Sequence, residues 1–294
     1  MRLGIKRGFL IFELLIGLVL IAAVMSAFAP LTQALMASSS IQKNVTDNMA
    51  VSVGLESQLL AQWQRLGQFG CNETGRSIVI GSNFNRPSRI PQSTFETESD
   101  WLQGGDVGLC AAYGQISDDS LSVDLPCDAV SAGQRIVVNS CAFGQQSSLL
   151  GISSGRFAAA VDGERFISKS VLVGTLSNFF WYVGEGRQNQ NALWRKPVTS
   201  GNAVELFPNV QFMRIYPILD RDLDGVSDEI VVQYGAFPIA EVTGILIEYS
   251  TSLKGCDASN RSIAEYETLR GDIWFHDGIC SAVGRTIVPL GAVI

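Results

Sequence analysis

The chain is poor in the residues that carry most enzyme and metal chemistry. It has one histidine, His276, in 294 residues and no C-x-x-C pair, which leaves zinc and thioredoxin-type sites without support. Neither G-x-S-x-G nor H-E-x-x-H occurs, so the nucleophile elbow and the zincin helix are both missing. His276-Asp277 follows Trp274-Phe275 and reads as a hydrogen-bonded loop histidine. Gly184-Glu185-Gly186 is a lone turn without a following helix signal, not a phosphate loop. These gaps point away from an enzyme. Charge is also sparse, at 17% of residues, and its balance is acidic, with a formal net charge of −7. An acidic surface repels phosphate backbones, so direct nucleic-acid binding is not expected. No internal repeat and no low-complexity linker interrupts the chain, and 47% hydrophobic residues suffice for a full core.

One long apolar run stands out against this background. Residues 9–29 hold no charge except Glu13, and 21 residues of helix measure roughly 31 Å, one hydrocarbon thickness. Arg2, Lys6 and Arg7 precede the run and only Lys43 follows closely, so the N-terminus stays cytoplasmic and the remainder is exported. An acid inside such a span costs about 2.5–3.5 kcal/mol at the bilayer centre, and intramembrane acids are functional by default. A secretory signal is one reading, with Ala27-Phe28-Ala29 as its cleavage site. Its apolar core is too long, it contains an acid, and a cut after Ala29 would place Pro30 directly after the scissile bond. A plain membrane anchor explains the length and leaves Glu13 unexplained.

The stretch Lys6-Arg7-Gly8-Phe9-Leu10-Ile11-Phe12-Glu13-Leu14-Leu15-Ile16 resembles the class III signal of type IV prepilins: a short basic leader ending in Gly, then Phe, then Glu. Leu10 stands where the family usually has Thr or Ser. The resemblance implies that a prepilin peptidase cuts between Gly8 and Phe9, that Phe9 is N-methylated, and that the apolar segment stays as the first half of a long assembly helix. Pro30 falls where pilins commonly carry a helix-kinking proline. A freed amine at Phe9 is a cation at the membrane boundary, and Glu13 lies about one helical turn away. The Glu13 carboxylate can pair with the amine of an adjoining subunit and set the register between them.

Six cysteines, Cys71, Cys110, Cys127, Cys141, Cys256 and Cys280, in an exported chain suggest three disulfides. Six allow 15 connectivities, and nearest-neighbour pairing is the expectation: Cys71–Cys110, Cys127–Cys141 and Cys256–Cys280. Removal of a leader of residues 1–8 takes Arg2, Lys6 and Arg7 with it and the formal charge from −7 to −10.

Helix is expected over 9–66. Ile41, Val45, Met49 and Val53 recur every four residues and Leu59, Trp63 and Leu66 continue the pattern, giving one apolar face for a sheet. Ser38-Ser39-Ser40 is its weak point. From Gly67 the chain turns to short β-rich runs between Gly, Asn, Asp, Ser and Pro. Strands are expected at 77–80, 121–125, 135–143, 157–161, 171–183, 192–197, 205–216, 229–235, 244–250 and 286–290, and 83–105 reads as a surface loop. The fold class is therefore α+β: a transmembrane helix over 9–29 within 9–66, packed on a mainly antiparallel head over 67–294. Trp181, Trp194 and Phe207 sit in alternating patterns and read as core or subunit contacts.

Three segments of the head, 133–141, 179–195 and 204–212, look like those of PilW-type minor pilins: a strand ending in Cys, a hairpin, and a strand before an Asp/Gly-rich turn. That turn is Asp220-Arg221-Asp222-Leu223-Asp224-Gly225-Val226-Ser227-Asp228-Glu229. Asp220, Asp222, Asp224, the Val226 carbonyl and Asp228 fall at the donor spacing of a calcium loop, with Gly225 at its bend. Val231 replaces the bidentate Glu, and the flanks look like strands, so this is no EF-hand. A structural calcium site and a solvated hairpin turn both remain open.

The resemblance implies a low-copy minor pilin of the tip or initiation complex that primes a type IV pilus for motility, adhesion or DNA uptake. Its partners are then the other minor pilins and the major pilin through the N-terminal helix, the prepilin peptidase, and the inner-membrane assembly platform. It would sit in the inner membrane with a periplasmic head before entering the pilus. A minor pseudopilin of a type II secretion system and a pilus-borne adhesin are the alternatives. No cofactor is required, and a structural calcium ion at the Asp-rich turn is the one candidate.

Overall fold

A computed structural model describes residues 7–67, 77–106, 111–124, 132–140, 143–153, 156–175, 177–256 and 262–290. The apolar N-terminal sequence forms one helix, α1 (Arg7–Trp63), that continues through Pro30. Proline removes one backbone donor. Two hydroxyls lie nearby on the ladder, Ser26 donating to Ala23 O and Thr32 to Ala29 O, each at 2.8 Å. The serine run does not loosen the helix: Ser40 donates back to Ala37 O at 2.9 Å, keeping its hydroxyl bonded along the helix. The chain divides into two compact units, Met1–Asp47 and Asn48–Ile294.

Eighteen strands follow among the described residues. They are β1 (Ser77–Gly81), β2 (Trp101–Asp106), β3 (Ala111–Ser117), β4 (Ser120–Val123), β5 (Arg135–Asn139), β6 (Gly144–Ser153), β7 (Arg156–Ala160), β8 (Ser170–Thr175) and β9 (Ser177–Glu185). The second half holds β10 (Asn191–Pro197), β11 (Val204–Pro208), β12 (Val210–Leu219), β13 (Glu229–Ile230), β14 (Gly235–Pro238), β15 (Val242–Ser252), β16 (Ala264–Glu267), β17 (Ile273–His276) and β18 (Ser281–Pro289).

A six-stranded sheet runs β11-β10-β9-β2-β1-β14, a four-stranded sheet runs β13-β12-β15-β18, and β16 pairs with β17. Strands β3 to β8 close a separate barrel in the order β3-β4-β7-β6-β5-β8. The barrel lies in sequence between β2 and β9, which are themselves partners from Trp101↔Tyr182 to Asp106↔Ser177. It has its own core, in which Ile116, Leu121, Ile136, Val138, Phe166 and Val173 are buried. The head is thus an antiparallel two-sheet body with a barrel inserted between two neighbouring strands.

The main core joins the second half of α1 to both sheets: Leu55, Leu59, Trp63 and Leu66 pack with Leu102, Trp181, Ile215, Ile245 and Ile247. This corrects the expected helix face. Met49 and Val53 are 68% and 66% exposed, and the buried positions are Asn48, Leu55, Leu59 and Trp63. Asn48 can be buried where Met49 is not because its amide finds partners on both sides, accepting from Thr251 Oγ1 at 3.0 Å and donating to Ile279 O at 3.3 Å. Tyr249 reaches from β15 to Glu56 at 2.5 Å, and its ring lies against Gly284 of β18, where a Cβ would overlap it.

Several expected strands divide. The 171–183 run becomes β8 in the barrel and β9 in the large sheet, and the 205–216 run breaks at Asn209, whose φ is +66°. The 229–235 run keeps only β13 before the chain leaves for β14. The expected surface loop over 83–105 is largely structural, since Ile90, Ser99, Asp100 and Leu102 are wholly buried and its end is strand β2.

Candidate membrane segment and polar clusters

The first unit of the chain presents apolar side chains outward. Phe12, Leu14, Leu15, Ile16, Leu18 and Val19 are all more than half exposed except Ile16, at 46%, and the helix is long and apolar enough to cross a membrane. Signal sequences pass the same test of length and composition. Glu13 is exposed on this surface and is the only ionisable residue from Phe12 to Gln42. Gly8 and Phe9 lie in the first turn of α1, and Pro30 is inside it; residues 1–6 of the expected leader lie outside the described residues.

Cys256 and Cys280 form a disulfide with Cα atoms 5.5 Å apart. Cys71, Cys110, Cys127 and Cys141 lie outside the described residues. Beside the bridge, Asp277 Oδ1 accepts from the backbone N–H groups of Ile279, Cys280 and Ser281 at 2.9, 2.7 and 2.9 Å. Burial pushes the Asp277 carboxyl up, but these hydrogen bonds outweigh it and hold it below the usual carboxylate range. His276 is the last residue of β17 and faces Ala264 across the pair.

The acidic turn connects β12 to β13 as a hairpin, with Leu219 opposite Glu229. Oxygens of Asp220, Asp222 and Asp224 lie within 4.8 Å of one another. Ligands about 2.4 Å from one calcium ion span at most about 4.8 Å, so the three fit a single ion. Much of their acceptor capacity is already used by the turn: Asp220 takes N–H bonds from Asp224 at 3.2 Å and Gly225 at 2.8 Å, and Asp224 takes one from Val226 at 2.7 Å. Asp228 turns its Oδ2 to the Arg221 N–H at 2.6 Å. Val226 is exposed, with its side chain 65% accessible.

The most ordered polar cluster was not visible in the sequence. Asp100, wholly buried just before β2, accepts from Arg214 Nη1 at 3.0 Å, Tyr234 OH at 3.0 Å and the Ile215 N–H at 2.8 Å, and it pairs with Arg270. Arg214 also pairs with Asp272 at 2.7 Å, and Arg270 stacks on Tyr216 and Tyr234 with its guanidinium 4.7 and 4.0 Å from the ring centroids. Tyr216 leads to a second buried acid, donating to Glu248 at 2.7 Å. Glu248 also accepts from Tyr266 at 2.7 Å, the Leu269 N–H at 3.0 Å and Arg285 at 2.5 Å. Burial raises the Glu248 carboxyl, but these donors outweigh it and hold the group below its ordinary range. The cluster joins β12, β15 and β18 to the β16–β17 pair through Arg214, Glu248, Arg285, Tyr266 and Asp272.

The chain matches no protein family, no curated protein and no solved structure.

Proposed function

We propose that this chain is a minor pilin, a low-copy subunit of the complex that primes a type IV pilus. The observation that carries the reading is Glu13, a single acid on an exposed apolar helix of membrane length. After cleavage at Gly8–Phe9 the new amine is a cation with which the Glu13 carboxylate of a neighbouring subunit can pair. Pairing between neighbouring subunits neutralises both groups in a low-dielectric bundle, where an unpaired charge is costly. The head then remains outside the membrane, and the partners are other pilins, the prepilin peptidase and the inner-membrane assembly platform.

Intact-mass measurement and incorporation together test this. The mature protein is expected to begin at N-methyl-Phe9, and Glu13→Ala to insert into the membrane yet fail to enter pili. Retained Met1, cleavage after Ala29, or normal incorporation of the variant would sink it. A type II pseudopilin shares this processing, and lost exoprotein secretion in a deletion strain would identify it. The inserted barrel favours an adhesin variant of the same reading, because it has its own core and leaves the β2–β9 pairing intact. That variant predicts pili of normal number that fail to attach when the barrel is altered.

A further inference from the structure

The two larger sheets have four edge strands, and three of them are blunted against further pairing. β13 has two residues, β14 has four and ends on Pro238, and β11 carries Glu205 and Pro208 beside a register shift at Leu193/Trp194. β18 is different. It pairs with β15 in unbroken register from Ser252↔Ser281 to Gly244↔Pro289, and proline enters it only at its last residue.

Hydrogen bonds just beyond both ends of that pairing fix its phase: the Leu290 N–H donates to Thr243 O at 3.0 Å, and Cys280 O accepts from the Leu253 N–H at 2.7 Å. Backbone groups alternate in direction along an antiparallel strand, so the even-numbered residues of β18 turn theirs to β15 and the odd-numbered ones turn theirs away. Ser281 is closed off by its own turn, its N–H donating to Asp277 Oδ1 at 2.9 Å and its carbonyl accepting from the Gly278 N–H at 2.8 Å. Pro289 has no N–H to offer. Between them Val283, Arg285 and Ile287 hold out their N–H and C=O groups, and no hydrogen bond among the described residues takes these up.

Side chains decide what fits along this edge. Val283, Arg285 and Ile287 lie on the sheet face that carries Glu248. Ile287 is 56% exposed, and Arg285 turns Nη2 to Glu248 at 2.5 Å while its side chain stays 48% exposed. A second copy pairing antiparallel through the same three residues would set Arg285 directly opposite itself, and like charges in that position repel. An acid there forms a charge-assisted pair instead.

We propose that the β18 edge takes an extended segment of a partner protein as an added antiparallel strand, with an acidic residue opposite Arg285 and β-branched residues two places to either side, opposite Val283 and Ile287. Main-chain hydrogen bonds hold the segment and its alternate side chains select it. The edge does not depend on the pilin reading.

The test is fluorescence anisotropy of a labelled synthetic peptide, Thr-Val-Thr-Glu-Thr-Val-Thr, titrated with the full-length protein in micelles of an uncharged detergent. Binding is expected to weaken at least tenfold when lysine replaces the peptide's glutamate. In a chain of net charge −7 general attraction favours the lysine peptide, so a preference for glutamate reads Arg285. Ile287→Pro is expected to weaken binding at least tenfold as well, because it removes an N–H that faces the edge and leaves the β15 ladder its donors. N-methylation of the peptide needs no change in the protein: at the glutamate nitrogen it should abolish binding, and at the preceding threonine nitrogen, which faces away from β18, it should cost little. No binding of the glutamate peptide, equal binding of the lysine peptide, binding unchanged in Ile287→Pro, or equal loss at both N-methyl positions overturns the proposal. A concentration-dependent dimer that Ile287→Pro breaks assigns the edge to a second copy and overturns it too.

Discussion

Asp100 and Arg214, 114 positions apart in the chain, meet in a buried ion pair with an Nη1–Oδ1 distance of 3.0 Å. The acid immediately precedes β2 of the large sheet and the arginine lies in β12 of the other, so the pair ties the two sheets together. Arg270, from the turn between β16 and β17, closes on the second oxygen. Removing Asp100 strands two guanidinium groups among buried tyrosines. Asp100→Ala is therefore expected to destabilise the fold by about 3–5 kcal/mol, the usual cost of breaking one partner out of a buried pair. Denaturant unfolding measures it, and a loss below 1 kcal/mol, on the order of a surface pair, would contradict the buried role.

Acid should weaken the same region. Glu248, Asp272 and Asp277 all have folded-state pKa values held below their ordinary range. For a depressed acid the stabilisation is fully present above the unfolded pKa and is lost as pH falls through the folded one. Stability should thus decline on going below about pH 4.5, where carboxylates of ordinary pKa begin to protonate. Trp274, stacked between Phe212 and Tyr266 at centroid distances of 5.9 and 6.2 Å, is a local fluorescence probe of this loss. Glu248→Gln should flatten the pH dependence; stability that rose on acidification would have the wrong sign.

The apolar half of α1 was readable because its signal is local: one acid and one proline in an uninterrupted apolar run need no long-range partner to be noticed. The Asp-rich hairpin was readable for the same reason. Asp100 was not, because between Ser99 and Trp101 in a polar stretch it looks solvated, and its burial is decided by Arg214 and Arg270 far along the chain. The helix face was misjudged where Met49 and Asn48 compete for one sheet: periodicity favours the methionine, while Thr251 and the Ile279 carbonyl favour the asparagine. The barrel was hidden because β3 and β6 are rich in Ser, Gln, Gly and Ala, which carry little strand propensity, and because closure is a property of pairing rather than of any one strand.

The Cys256–Cys280 bridge encloses the β16–β17 pair, a sequence separation of 24. That short sheet has few buried residues besides Trp274, so its unfolded chain gains much freedom when the bridge is cut. Cys256→Ser is expected to cost about 2–5 kcal/mol. It should also raise amide exchange in β16 and β17 well before the large sheet is affected. Equal protection across both regions, with no change in global stability, would show that the bridge is dispensable.

Calcium is the last test, and it concerns the β12–β13 hairpin. Asp220, Asp222 and Asp224 place oxygens close enough for one ion, and their mutual repulsion is relieved when a cation fills the gap. Without a bidentate Glu, affinity belongs in the weak extracellular range of about 10⁻⁴–10⁻³ M. Binding to the folded chain alone adds about 2.7 kcal/mol at a hundredfold excess over Kd, so Tm should rise with calcium well above that range and fall with chelator. Magnesium should do much less, since it demands tighter octahedral geometry. Asp222→Ala/Asp224→Ala removes two of the three ligands, and with them the acceptors of the N–H groups at positions 224 and 226, while Asp220 still accepts from the N–H groups at positions 224 and 225; the response to calcium is expected to be lost. If wild type and this double variant melt alike with and without calcium, the three carboxylates serve the turn alone, as acceptors for the backbone that bends at Gly225.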